Sequence, residues 1–317
     1  MTSNSDSIDI SLSGVYKSWY AFRAGKRPSR LIITFEYELE NNLYKLANDI
    51  QNNHYQHGSY RHILVQDSKP RRIVVAEVDD RVVHRMLYDY FVPLMDSHFD
   101  YDVWSCRKGK GLEGAINRTK SLLIKYPHGW VWRGDIAKFF DSVNHEVLRK
   151  IVQRYVKDED ALDLLQRVST SYFTEPGRGI PIGNLTSQIL SNAYLNEFDR
   201  FVRHTLKPLG YVRYGDDFIL IFPDEQQTLK AQELGSAFLA ENLKLTMHAT
   251  NNIVVPVRRG LHFLGLNLFP WGRSIQDKTW KRVKRRLADN NRSSYFGLVQ
   301  NMGNKKQKKE FKWLEIL

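Results

Sequence analysis

Three aspartates have types and spacing that could carry phosphoryl chemistry. Two are adjacent in Tyr214-Gly215-Asp216-Asp217, and the third, Asp135, ends the run Trp130-Val131-Trp132-Arg133-Gly134-Asp135. Adjacent carboxylates repel unless a cation sits between them. Mg²⁺ takes oxygen ligands, typically one or two carboxylates with substrate phosphates. A third carboxylate brought alongside completes the smallest set able to hold two ions for an in-line displacement at phosphorus. Asp135 stands among apolar and aromatic residues, where an unpaired carboxylate is costly, so it needs a cation or a donor. The plain alternative for Asp216 and Asp217 is a solvated turn, where aspartate is common.

Such residues need elements to position them. The β-rich runs 210–213 and 218–222 flank the acidic pair and predict a hairpin, with Gly215 free to take the turn conformation. A second strand is expected to end at Asp135, followed by a helix with Asp141 as its N-cap. Leu39, Leu43, Leu46 and Ile50 predict an amphipathic helix over 35–51. Strands are expected at 61–66 and 71–78 and helices at 80–95, 146–156, 161–172 and 229–243, with a hairpin at 260–269. A glycine-rich loop, 177–188, opens a further helix through Phe198; it is either an ordinary capped loop or one that faces a base pair or nucleotide.

Cations are plentiful. The chain of 317 residues carries a formal charge of +12, which points to a polyanionic partner, most commonly nucleic acid. Arg107 and Lys108 lie in a glycine-punctuated loop that could cradle phosphate, and Lys69 and Arg71 lie at a strand connection. The tail concentrates Lys281, Arg285, Lys305, Lys306, Lys308 and Lys309 with Trp280, Tyr295, Phe296 and Trp313. This suits a helix pair that packs inward and tracks a phosphate backbone outward; a merely solvated face is the alternative. No apolar run nears twenty residues, so no membrane association is expected, and the first thirty residues have no export signal core. The single cysteine, Cys106, suggests a reducing compartment, and a cytoplasmic location is expected.

In this order the stretches resemble the reverse transcriptase family, from about Val15 onward. Asp135-Ile136-Ala137-Lys138-Phe139-Phe140-Asp141 resembles the first catalytic motif and Tyr214-Gly215-Asp216-Asp217 the second. The resemblance implies an α+β right-hand polymerase: N-terminal segment and fingers over 1–130, palm with an antiparallel sheet over 131–270, and a short helical basic thumb over 271–317. It implies that Asp135, Asp216, Asp217 and the carbonyl of Ile136 bind two Mg²⁺, with Mn²⁺ as a substitute. Phe140 falls at the steric gate against a ribose 2′-hydroxyl, with a core aromatic as the alternative. Lys69-Pro70-Arg71 matches the fingers motif, with Arg71 as the triphosphate contact, and Phe263-Leu264-Gly265 resembles the primer grip.

Ile182-Gly183-Asn184-Leu185-Thr186-Ser187-Gln188 resembles the loop of enzymes from diversity-generating retroelements, which copy adenine with errors. Ile182 and Gln188 stand where group II intron and retron enzymes usually carry Gln and Pro. Phe22-Arg23-Ala24-Gly25-Lys26 and His57-Gly58-Ser59-Tyr60-Arg61 point the same way. Many relatives carry a lysine where this chain has Thr250-Asn251-Asn252, which leaves the proton donor to pyrophosphate unassigned. The implied function is RNA-directed DNA synthesis on a template RNA, from a primer or growing cDNA, with deoxynucleoside triphosphates and a small basic accessory protein. A phage-defence reverse transcriptase and a non-catalytic RNA-binding subunit are the rival expectations.

Overall fold

The computed structural model describes residues 7–66 and 70–315. Its elements, in chain order, are α1 (Leu12–Arg23), α2 (Arg30–Tyr37), α3 (Leu39–Gln51), β1 (Arg61–Gln66), β2 (Pro70–Val75), α4 (Val78–Met95), α5 (Leu112–Lys125) and β3 (Trp130–Asp135). Then come α6 (Phe139–Ser142), α7 (His145–Tyr155), α8 (Glu159–Thr170), α9 (Leu185–Phe201), β4 (Gly210–Tyr214), β5 (Asp217–Phe222) and α10 (Glu225–Leu243). The chain finishes with β6 (Ile253–Pro256), β7 (Leu261–Phe263), β8 (Leu266–Phe269), β9 (Gly272–Ile275), α11 (Asp277–Arg286), α12 (Arg292–Met302) and α13 (Lys305–Leu314).

These elements form two compact, interleaved units. One comprises Met1–Asp100, Lys138–Asp199 and Ala240–Leu245; the other comprises Tyr101–Ala137, Arg200–Leu239 and Thr246–Leu317. The first unit is mostly helical. The aromatic stretch 15–22 lies in α1, whose Ser11 cap accepts the Gly14 N–H and whose Val15, Trp19 and Phe22 are buried. The single helix expected over 35–51 is two, because Glu38 leaves the helical conformation (φ −120°, ψ 41°) and the Asn42 side chain takes up the Phe35 carbonyl at 3.0 Å. β1 and β2 pair antiparallel. Asp141 is not an N-cap, a correction to the expectation: it lies inside the one-turn α6. The next long helix, α7, is capped by Asn144, which accepts the Val147 N–H at 3.0 Å.

The second unit is built on an antiparallel sheet of order β4-β5-β3-β6. Residues paired directly across such a sheet share a face. One face therefore carries Val131, Val212, Ile219 and Ile221, all fully buried in a core with Leu122, Phe263, Trp280 and Phe311. The other carries Trp132, Phe218 and Leu220. Gly134 is required there, since a Cβ would lie 2.2 Å from the Phe218 ring that covers it. A second antiparallel sheet, β7-β8-β9, extends the 260–269 hairpin by one strand, and three helices, not a pair, follow it. Among the described residues, no helix is long and apolar enough to cross a membrane.

Candidate active site

β3 and β5 run antiparallel in a register that sets Asp135 opposite Asp217. β4 and β5 close with Tyr214 opposite Asp217, so Gly215 and Asp216 alone make the turn, with Gly215 at φ +66°. That left-handed angle suits glycine at the first position of a two-residue hairpin loop. The three aspartates thus belong to one unit and one end of one sheet.

The turn is held from behind. The Gly215 N–H donates to Ser105 Oγ at 2.9 Å, and Arg213 Nη1 donates to the Gly215 carbonyl at 3.0 Å. Arg213 is fully buried, and its backbone pairs with the segment at 102–104 through Asp102 and Trp104. Asp102, itself buried, receives Arg118 at 2.8 Å and Arg203 at 3.1 Å. Past Asp135 the chain stays paired: His248 N–H donates to the Asp135 carbonyl, and Ala137 N–H to that of Thr246, both at 2.8 Å.

Two side chains that the sequence did not single out touch the carboxylates. Arg133 lies 3.4 Å from Asp217 Oδ1, and both side chains are largely buried. Asn251 Nδ2 donates to Asp135 Oδ2 at 2.7 Å. Burial pushes the Asp217 carboxyl up to about 7; Arg133 opposes this, while Asp135 and Asp216 add to it as like charges. Arg133 is thus set against Asp217, while Asp135 and Asp216 add negative charge beside it. Among the described residues, no three His, Cys, Asp or Glu side chains are gathered as a ready metal cage: Asp217 is turned to Arg133 and Asp135 to Asn251. The donor chemistry nonetheless suits a hard divalent ion, being oxygen throughout and anionic.

The other expected site residues are distributed as follows. Phe140 and Ile182 belong to the first unit and are partly buried; the Ile180 N–H donates to the Phe140 carbonyl at 2.8 Å, tying their two segments together. Phe139, not Phe140, is the core aromatic of its pair. Gly183 (φ +108°) packs where a Cβ would lie 2.9 Å from Ile73 of β2, and Gln188 sits on the first turns of α9. Asn184 of this loop donates to the hydroxyl of Tyr60 at 3.3 Å. Lys69 lies outside the described residues, as does the Arg71 side chain.

In the second unit Lys108 is exposed and Arg107 partly so; their neighbour Lys110 is spent inside its own loop, over the rings of Tyr101 and Trp104. The Phe263 side chain is fully buried in the core of this unit. Gly265 (φ +80°) is exposed at the turn that follows. Lys281, Arg285, Lys305, Lys306 and Lys309 are exposed and Lys308 partly buried.

An antiparallel sheet thus bears the two-residue turn Gly215-Asp216, with Asp217 on β5 opposite the strand-end Asp135. Residues 63–268 match the family described as reverse transcriptase (RNA-dependent DNA polymerase), and the chain belongs to that family. It is similar to Protein YkfC of Escherichia coli (strain K12), with 26% identity over 266 residues, 70% of either chain. The putative COX1/OXI3 intron 2 protein of Saccharomyces cerevisiae is 20% identical over 296 residues, covering 72% of this chain and 34% of that one. The group II intron-encoded protein LtrA of Lactococcus lactis subsp. cremoris is 30% identical over 79 residues, 23% of this chain and 13% of its own. The chain thus spans about a third or less of these two intron-encoded relatives.

Proposed function

We propose that the chain is an RNA-directed DNA polymerase that extends a 3′-hydroxyl along an RNA template with deoxynucleoside triphosphates. The observation that carries this reading is the register that sets Asp135 opposite Asp217, beside the turn bearing Asp216, in a chain of this family. Asp135, Asp216, Asp217 and the Ile136 carbonyl would hold two Mg²⁺, or Mn²⁺ in their place. When bound, such ions activate the attacking oxygen and neutralise the leaving pyrophosphate. The protein's share is positioning. Ser105 and Arg213 fix the turn, Asn251 orients Asp135, and Arg133 offsets the charge of Asp217. Phe140 would exclude ribonucleotides, Ile182 and Gln188 would border the nucleotide, and Lys69 and Arg71 would meet its triphosphate. Residues 271–317 would serve as a short thumb along the phosphate backbone.

The finer reading is that the enzyme serves a diversity-generating retroelement, copying with errors and assisted by a small basic protein. Ile182, Gln188 and the His57-Gly58-Ser59-Tyr60 stretch support it. The test is extension of a defined primer on a defined RNA, with the cDNA sequenced. Metal-dependent extension is expected, with errors concentrated opposite adenine. Accurate extension would favour a defence enzyme instead, and RNA binding without extension would leave an RNA-binding subunit.

A further inference from the structure

Away from the carboxylates, the second unit has a groove of about 540 Å³ between the β8–β9 hairpin and the start of α13. Its volume lies in the range of small-molecule sites. Its floor is aromatic: Phe269 and Trp271 stack with centroids 5.4 Å apart and planes 21° from parallel. Trp271 is 73% exposed, the most solvent-exposed tryptophan among the large apolar residues on the surface. An indole stacked on Phe269 and otherwise largely in water at a hairpin tip offers an apolar surface to a ligand.

The rim is cationic. Arg273, Lys305, Lys306 and Lys308 line the groove, and no carboxylate does. Glu310 lies 3.9 Å from Lys306 and is also held by the Trp280 indole N–H at 3.0 Å. Among the described residues, Arg273 reaches the Asn117 side-chain oxygen, at 3.4 Å.

The two walls are fixed to each other. Gln307 is buried and bonds both backbone groups of Ile275 on β9, accepting its N–H at 3.0 Å and donating to its carbonyl at 2.8 Å. The same side chain accepts the Asn304 N–H at 3.1 Å, and Asn304 accepts that of Gln307 at 2.8 Å. One side chain therefore caps α13 and locks it to the hairpin, so that the lysines on either side of Gln307 stand at a fixed place beside Trp271.

An aromatic platform beside several fixed cations is the arrangement that holds single strands: a base lies on the ring while phosphates meet the cations. We propose that this groove binds an unpaired stretch of RNA or single-stranded DNA, with one base on Trp271 and adjoining phosphates on Arg273, Lys305, Lys306 and Lys308. The proposal rests on the reading that the chain handles nucleic acid, but not on catalysis.

The experiment uses the full chain and an oligoribonucleotide of roughly ten nucleotides, with inorganic polyphosphate as a charge-only probe. Trp271→Ala should weaken oligonucleotide binding about tenfold while leaving polyphosphate binding and the salt slope unchanged. Trp271→Phe should stay within about threefold of wild type, yet lose the part of the indole fluorescence that the oligonucleotide quenches. Replacing Lys305, Lys306 and Lys308 with Gln should lower the salt slope by about two and weaken both probes. Wild-type affinity in Trp271→Ala, equal weakening of both probes by that same substitution, or unchanged quenching in Trp271→Phe would overturn the proposal. Failed primer extension with these binding results intact would sink the polymerase reading and leave the groove standing.

Discussion

Replacing Asp217 with Asn should make the metal-free chain more stable at pH 8 while destroying its ability to extend a primer. Burial and two neighbouring carboxylates hold the Asp217 carboxyl near 7, against 3.8 for a free side chain. Below about pH 4 the group is protonated in both the folded and the unfolded chain, and its burial costs nothing. As pH rises the unfolded chain releases its proton first, so the stability conferred by the protonated form is lost progressively until the folded group ionises near 7. Three pH units correspond to about 4 kcal/mol. That figure already contains the opposing pull of Arg133, and solvent screening at a site that is partly open reduces it. A gain of about 2–3 kcal/mol is therefore expected for Asp217→Asn at pH 8, shrinking to nothing or reversing near pH 4. Urea unfolding in the presence of a chelator measures it, with tryptophan fluorescence as the probe, because Trp132 packs edge-on against Phe218 beside the site. Added Mg²⁺ should restore stability to the wild type and not to the variant. A variant no more stable than wild type at pH 8, or an advantage independent of pH, would refute the electrostatic account.

Asn251→Ala removes the 2.7 Å hydrogen bond to Asp135 and should lower incorporation about tenfold, with a raised Mg²⁺ requirement in a metal titration of the rate. Phe140→Val should admit ribonucleotides, read as the ratio of ribo- to deoxynucleotide incorporation in competition; an unchanged ratio would make Phe140 a packing residue. Ile182→Gln should reduce misincorporation opposite template adenine in sequenced cDNA, because Gln can hydrogen-bond a correctly placed sugar for about 1 kcal/mol. Equal error spectra would remove Ile182 from the fidelity argument.

The carboxylate hairpin was legible because its signals are local: glycine between two β-rich runs, and an aspartate closing a third. The partners of those carboxylates were not. Arg133 reaches Asp217, and Asn251 reaches Asp135, only through pairings of residues 84 and 116 positions apart. One cue was present, since Arg133 and Asp135, two apart on a strand, must share a face. β6 escaped notice because Ile253-Val254-Val255-Pro256 is short and ends in proline, as edge strands can. The capping assignment went to Asp141 instead of Asn144 because both are good caps by type, and only the one-turn α6 between them decides. The motif that singles out Phe263 says nothing of where its ring lies; its position on β7 turns that ring into the core, where burying an aromatic is favourable.

The most direct measurement is single-turnover extension of one primer on one RNA by wild type and Asp216→Asn, with RNA affinity measured on the same preparations. Asn keeps the shape of the turn and removes the charge that would hold the metal. The account predicts a loss of more than about a hundredfold in extension, beyond what a positioning residue gives, at unchanged RNA affinity. Extension by Asp216→Asn at an appreciable fraction of the wild-type rate would contradict the assignment of these carboxylates as the catalytic centre.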